Sequence, residues 1–402
     1  MFVPRCDVLV ADNLWPREPS RGSLCVCSAG RVPSSCTAVG RRPSDPPPLK
    51  SAGEKASRRF TVPRFHTVRN AGEPRINDNV PVKRALIFGV SGQDGAYLSR
   101  LLLERGYEVH GASRDAESQS FRRLVTLGIR DRVVTHSAAA RDFRELLQLI
   151  DGIRPDEIYN LAGQTSVALS FSQPVETMDS IAQATLVMLE VIRYLKLPVR
   201  LYNSASSECF GEVMPGQASD ESTPFFPRSP YATAKAAAHW TTVNYREAYG
   251  IYACSGILFN HESPLRSERF VTKKIVSAAA AIASGMRERV TLGRLDVSRD
   301  WGYAPEYVEA MWRMLQQDVP RDFVIATGQS HTLEQLTAAA FARFNLDWHD
   351  HVDIDPSLFR ASEISYSRGN PEKSRRLLGW EATTKFDELV GILAEGERAN
   401  GA

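Results

Sequence analysis

Three groups of residues have the types and spacing for chemistry. The first is a glycine turn, Gly89-Val90-Ser91-Gly92-Gln93-Asp94-Gly95. Between a strand and a helix, its first glycine permits the tight turn and its second admits phosphate oxygens. The third lets helix and strand pack closely, and the helix N-terminus adds amide donors and a positive dipole. The second group is Tyr231 with Lys235, four residues apart and so on one helix face. Such a pair can take a proton from a sugar hydroxyl while hydride leaves the same carbon. A neighbouring ammonium and the positive ring of a nicotinamide are expected to lower the phenol from its usual pKa of about 10. The third group is Ser206-Ser207-Glu208. A serine followed by an acid is often just a helix cap. With Tyr231 and Lys235 following shortly after, catalysis is the favoured reading, because a carboxylate at an oxidation site can turn oxidation into elimination.

These groups need elements to hold them. Residues 84–88 read as a buried strand running into the glycine turn, and Tyr97, Leu98, Leu101 and Leu102 follow at helical spacing. Further strands are expected at 108–112, 132–135, 157–161, 200–205 and 253–258, with helices at 142–150, 175–195, 271–284 and 306–315. Alternating strands and helices imply a parallel sheet covered on both faces. Ser206 to Glu208 then lie at the carboxyl end of a strand, where such sheets bind ligands. The expected fold class is α/β, a Rossmann-type doubly wound parallel sheet with a smaller C-terminal α/β substrate-binding domain. Residues 81–260 would form the dinucleotide-binding part. Residues 261–402 would be mainly substrate-binding, interleaved with the sheet. The second strand ends in Arg114-Asp115. Arg114 suits a ribose 2′-phosphate and favours NADP, with NAD possible, because Asp115 would repel the phosphate if it turned inward.

Composition narrows the setting. The chain has 402 residues, 43% hydrophobic and 24% charged, as expected of a soluble globular enzyme. No apolar run is long enough for a membrane span, so no membrane partner is expected. Residues 1–80 carry 13 Lys and Arg against 7 Asp and Glu, and the remainder carries 36 against 40. The slightly acidic body gives no support for nucleic-acid binding. The first 80 residues hold 10 of the 23 prolines and no sustained periodicity, which reads as a disordered extension. No methionine falls between Met1 and Met178, and a start near Val80 or Val82 is the preferred account of this segment. Cys6, Cys25, Cys27 and Cys36 lie in it; the spacing is poor for a zinc site, and no metal is expected. The body has only Cys209 and Cys254, which suits a reduced, cytoplasmic protein.

From about Arg84 to Val390 the chain resembles the extended short-chain dehydrogenase/reductase family and, within it, the GDP-mannose 4,6-dehydratases. Besides the glycine turn, the resemblance rests on Asn203 to Glu208, Arg228 to Lys235, Asn244 to Gly250, Gly256 to Pro264, Arg299-Asp300-Trp301-Gly302 and Asp322 to Gly328. Asn260-His261-Glu262-Ser263-Pro264 and Arg299 to Gly302 together are specific to that dehydratase. The resemblance implies conversion of GDP-α-D-mannose to GDP-4-dehydro-6-deoxy-α-D-mannose and water, by internal hydride transfer through NADP. It implies Ser206, Glu208, Tyr231 and Lys235 as the catalytic set. The cofactor would lie along the whole glycine turn (Gly89, Val90, Ser91, Gly92, Gln93, Asp94, Gly95), Arg114, Leu161, Ala162, Gly163, Gln164, Thr165, Lys235, His261 and Arg266. Asn260, Arg299 and Arg360 would contact the substrate, and the protein would be a homodimer or homotetramer. Several positions depart from the family pattern. The family's catalytic Thr is Ser206, its second arginine after strand two is Asp115, its acid near the adenine is Ala139, and its cofactor-contacting Tyr is Glu176. The stretch between about 345 and 353 is also shorter. A GDP-4-keto-6-deoxymannose reductase or a nucleotide-sugar 4-epimerase would need Tyr231 and Lys235 but not Glu208. A non-catalytic NADP-binding sensor would be expected to lose Tyr231 or Lys235.

Overall fold

A computed structural model describes residues 82–360 and 362–401. The proline-rich segment 1–80 with its four cysteines therefore lies outside the described residues. Strand β1 (Arg84–Phe88) leads through the glycine turn into helix α1 (Gln93–Glu104). There follow β2 (Glu108–Ser113), α2 (Arg122–Thr126), β3 (Val133–Ser137), α3 (Phe143–Ile153) and β4 (Glu157–Asn160). Short helices α4 (Val167–Ser172) and α5 (Pro174–Met178) precede α6 (Ala184–Leu195), β5 (Arg200–Ser206), α7 (Pro230–Tyr249) and β6 (Ala253–Leu258). The C-terminal part contains β7 (Asn260–Glu262), α8 (Val271–Ala283), β8 (Val290–Leu292), β9 (Ser298–Arg299), β10 (Trp301–Tyr303), α9 (Ala304–Leu315) and β11 (Phe323–Ile325). It ends with β12 (His331–Thr332), α10 (Leu333–Ala342), β13 (Val352–Ile354), α11 (Glu372–Leu378) and α12 (Phe386–Gly401).

Seven strands form one parallel sheet in the order β11-β6-β5-β4-β1-β2-β3. The order reverses between β4 and β1, which opens the crevice where doubly wound sheets bind ligands. One face packs Val109, Tyr202 and Phe323 against α1 and α9; the other packs Leu86, Ile158 and Leu201 against α3 and α6. A separate core, built on Ile275, Leu336, Phe341 and Val390, joins α8, α10 and α12. Sequence periodicity anticipates six of the seven strands. The seventh, β11, is only three residues long and comes from beyond residue 260, too short to show a period. The third strand starts one residue later and ends two later than the expected 132–135, because Arg130–Arg132 forms a 3-10 turn. The helix expected over 175–195 is α5 and α6 joined by a π-helical turn, Asp179–Gln183. The loop after β4 docks on that turn, where the amide of Gln164 donates to Ser180 Oγ at 3.2 Å.

Two glycines of the turn are required by geometry. Gly89 has φ +84°, and a Cβ there would lie 2.7 Å from the Leu161 carbonyl oxygen. A Cβ on Gly95 would lie 2.4 Å from the Gly89 oxygen. Neither position accepts a side chain without moving the backbone.

Candidate active site

Ser206 ends β5 in extended conformation and caps the single 3-10 turn Ser207–Cys209, its Oγ accepting from the Glu208 amide at 3.3 Å. The capping reading and the catalytic reading thus describe the same atom. The cap fixes the hydroxyl in the cleft that Tyr231 also lines, and its pull on the phenol opposes that of burial. Helix α7 starts on the Ser229 cap, which accepts from the Ala232 amide at 3.1 Å, with Pro230 at its first position. Its first turns aim buried Tyr231 and Lys235 at the end of β5. Lys235 Nζ donates to the Ser204 carbonyl at 2.6 Å and stands 5.9 Å from the centre of the Tyr231 ring.

The lowering expected of Tyr231 belongs to the state with the positive nicotinamide ring bound. Burial pushes the phenol up, outweighing the pull of the Ser206 hydroxyl. Burial also pushes the Lys235 ammonium down to about 8. The lysine's hydrogen bond goes to a backbone carbonyl, and desolvation is the largest influence on both groups.

Glu208 belongs to a four-member charge cluster. Burial raises its carboxyl pKa, the Arg299 and Arg360 guanidiniums pull it down, and Glu363 pushes it up again. Glu363 binds both arginines, accepting from Arg299 Nη2 at 2.7 Å and Arg360 Nη1 at 3.1 Å. Arg299 Nη1 is fixed by the Ile364 carbonyl at 2.7 Å and the Ser298 carbonyl at 2.9 Å. The neighbouring Asp300 carboxylate is fully buried and accepts from the Thr327 amide, the Thr327 hydroxyl and the Gly328 amide at 2.9, 2.7 and 2.9 Å, and from the Gly369 amide at 3.3 Å. Burial raises it to about 6 against those four bonds.

The glycine turn is tied to the C-terminal part through its own side chains. Asp94 accepts from His261 Nε2 at 2.9 Å, and His261 Nδ1 lies 2.8 Å from the Phe259 carbonyl. Burial alone would raise Asp94, but His261 holds it at about 2; burial alone would lower His261, but Asp94 raises it. Gln93 bridges the His261 carbonyl at 3.1 Å and the Ser263 hydroxyl at 2.7 Å. Val90 is fully buried in the core. Arg266 pairs with Glu262 at 3.1 Å and lies 3.6 Å over the Phe270 ring. Arg123, which no sequence signal marked, donates to the carbonyls of Ser91 at 2.9 Å and Leu265 at 2.7 Å.

One cleft of about 400 Å³ brings together Asp94, Leu161, Thr165, Ser206, Glu208, Tyr231, Lys235, Asn260, His261, Arg266, Arg299 and Arg360. A wider groove, lined by Ala116, Arg130, His136 and Leu149 beside the edge strand β3, shares none of these residues. Not every expected cofactor residue has a free side chain. Gln164 spends its amide on the Ser166 carbonyl and the Thr177 hydroxyl. Ala162 packs against the core beside α6, and Gly163 sits at φ +117° against Ile181. Glu363 is the main side chain of the cleft that the sequence reading missed; its signal was the Arg360-x-x-Glu363 spacing, ambiguous without a fold. Among the described residues no group of three or more His, Cys, Asp or Glu could hold a metal ion.

With this geometry in place, comparison with known proteins is informative. The family model described as GDP-mannose 4,6 dehydratase matches residues 86–393. A GDP-mannose 4,6 dehydratase 1 of Arabidopsis thaliana is 46% identical over 325 residues, covering 78% of this chain and 90% of the relative. A GDP-mannose 4,6-dehydratase of Yersinia enterocolitica is 41% identical over 352 residues, covering 79% and 94%. In fold, the chain is similar to a dTDP-glucose 4,6-dehydratase from Streptomyces venezuelae, with a TM-score of 0.70, 20% identity, and 79% and 97% of the two chains covered.

Proposed function

Because the chain belongs to the GDP-mannose 4,6-dehydratase family, we propose that its cleft binds GDP-mannose beside NADP and removes water from the sugar. The chain is accordingly a hydro-lyase of nucleotide sugars. The observation that carries the residue assignment is Glu208, a half-buried carboxyl in the same cleft as Ser206, Tyr231 and Lys235. A plain oxidoreductase or epimerase has no use for it.

The residues fit a nicotinamide dinucleotide. Gly89 and Gly95 let the turn close tightly on the Leu161 carbonyl and on its own first residue, Asp94 at the N-terminus of α1 lines the cleft, and Arg114 follows the end of β2. A nicotinamide held along the glycine turn would supply the hydride acceptor for sugar carbon 4 and the hydride donor for carbon 6. Tyr231, ionised to the phenolate in the field of Lys235 and the cofactor's positive ring, would take the proton from the carbon-4 hydroxyl. Lys235 carries positive charge beside the phenol and holds the strand end through Ser204. The ketone so formed acidifies the hydrogen on carbon 5, which Glu208 removes as base. The same group, or Ser206 beside it, then gives a proton to the departing carbon-6 hydroxyl. Burial holds the Glu208 carboxyl above its ordinary range, which brings its acid and base forms closer to balance near neutrality. Arg299 and Arg360 offer positive charge for the diphosphate, and Asn260 borders the sugar.

In this reading residues 81–260 carry the cofactor and 261–402 mainly the substrate, with α9 and β11 returning to the sheet. Exposed Val175, Met178 and Trp240 support a homodimer or homotetramer. The unpaired, buried thiols of Cys209 and Cys254 suit a cytoplasmic protein, and among the described residues no helix is long and apolar enough to cross a membrane. The test is incubation of the purified protein with GDP-mannose in heavy water. A nucleotide sugar that has lost one water and carries deuterium at carbon 5 is expected. An unchanged or merely epimerised sugar would overturn the reading.

A further inference from the structure

The second inference rests on the reading of Arg114 as the partner of a 2′-phosphate. Three segments converge beside the adenosine end of the crevice, each from the carboxyl end of a neighbouring strand. Arg114 follows β2, Arg141 follows β3, and Glu176 lies on α5, beyond the loop that leaves β4. The Gly89 amide donates to the Ala112 carbonyl at 3.3 Å, so Arg114 starts two residues from the glycine turn's own anchor. In such sheets this is where the ribose 2′-position is read.

The charges there cancel. Glu176 lies 3.7 Å from Arg114 Nη1 through one oxygen and 3.7 Å from Arg141 Nη1 through the other. Asp179 lies 3.6 Å from the same Arg141 nitrogen. Two cations thus face two carboxylates, and all four side chains are at least two-fifths exposed. The contacts are too long for hydrogen bonds, so the arrangement is loosely held. Asp115, the acid the sequence placed next to Arg114, takes no part. Its carboxylate accepts from the amides of Glu117 and Ser118, each at 3.1 Å, and from the Ser118 hydroxyl at 2.6 Å. The repulsion expected from Asp115 therefore comes from a different residue.

We propose that Glu176 is a cofactor-selecting residue, a carboxylate that occupies the Arg114–Arg141 pair and weakens this chain's preference for NADP over NAD. A 2′-phosphate entering here meets a cluster of net zero charge, where the two arginines alone would offer two positive charges. It must displace Glu176 or share the cations with it. NAD brings no charge to this position, so the carboxylate does not repel it. Removing one unit charge about 4 Å from a phosphate dianion in a solvated setting is worth about five- to thirtyfold in affinity at low salt, and less as salt screens it.

The test measures dissociation constants for NADPH and NADH by nucleotide fluorescence on the full chain, at low and high salt. Glu176→Gln is expected to tighten NADPH at least fivefold at low salt and to leave NADH within twofold, with the gain shrinking at high salt. Glu176→Ser, which also removes the charge but shortens the side chain, is expected to do the same. Equal shifts for both nucleotides would assign Glu176 a packing role and overturn the proposal. An unchanged preference in both variants, while Arg114→Ala still loses NADPH selectively, would overturn it and leave the Arg114 reading standing. If Arg114→Ala weakened both nucleotides equally, the reading of Arg114 would fail, and this inference with it.

Discussion

At the residue scale, the proposed mechanism separates elimination from simple oxidation by one carboxyl group, that of Glu208. Glu208→Gln preserves size and most hydrogen bonding but removes the base. Tyr231 and Lys235 remain, so reduced nucleotide is expected to accumulate on adding GDP-mannose, while loss of water slows by about 10² to 10⁴. Stopped-flow absorbance of the nicotinamide and product mass together check both halves, and wild-type dehydration by the variant would remove Glu208 from the mechanism. The Asp94–His261 pair gives a second outcome, with a pH signature. His261 is held above its ordinary 6.5 by Asp94, against burial. In Asp94→Asn burial and the Arg266 charge are opposed only by the Phe259 carbonyl, so its titration is expected to fall below 6.5, as read by NMR of labelled histidine. The raised His261 contributes stability that is full below pH 6.5 and lost as pH rises through its folded value. The lowered Asp94 contributes above 3.8 and loses its share as pH falls through about 2. The difference in denaturation midpoint between wild type and variant is therefore expected to peak between these limits. The chemical residues were legible in sequence because Tyr, Lys, Ser and Glu at fixed spacing have few other uses together. The ion pair was not, because Asp94 and His261 lie 167 positions apart and only the fold joins them.

At the scale of elements, the strand ends do the positioning, and the long first-sheet elements were readable from periodicity alone. What sequence could not show is how the short C-terminal elements pin the substrate side of the cleft. Strands β9 and β10 are two and three residues long, and no pattern develops over such a length. Their placement depends on Asp300, which sits between them and gathers the loops at Thr327, Gly328 and Gly369 through four hydrogen bonds. Asp300→Ala leaves the buried Gly369 amide and the half-buried Thr327 and Gly328 amides without their partner and is expected to cost about 2–3 kcal/mol. Arg299 would lose its fixed setting, so KM for GDP-mannose is expected to rise more than nucleotide affinity falls. A thermal melt and a nucleotide titration on the same preparation separate the two effects. The opposite sign is expected at Gly152, exposed within α3 and with no atom near a Cβ placed there. Gly152→Ala is expected to stabilise by about 0.5–1 kcal/mol without changing turnover, and a lower melting temperature would contradict this.

At the scale of the whole molecule, the distribution of apolar surface indicates what the chain does beyond one copy. Most large hydrophobic side chains are buried in three cores, yet Val175 and Trp240 are 72% and 58% exposed. They lie on α5 and α7, which pack against each other. Trp240 extends an aromatic group with Phe225 and His239, and Phe226 beside it is also exposed. A single exposed aromatic is ordinary, but several on packed neighbouring elements mark an association surface. Neither α5 nor α7 carries the cleft's substrate arginines, so a partner covering them would leave the substrate side open. The expected state is a homodimer or larger homo-oligomer at micromolar concentration by analytical ultracentrifugation. The double change Val175→Glu and Trp240→Glu places like charges against each other in a two-fold contact and is expected to shift the distribution to monomer. A native chain that sediments as a monomer would remove the oligomer from the proposed function. If the double variant kept the native assembly, the contact would have to lie on another face.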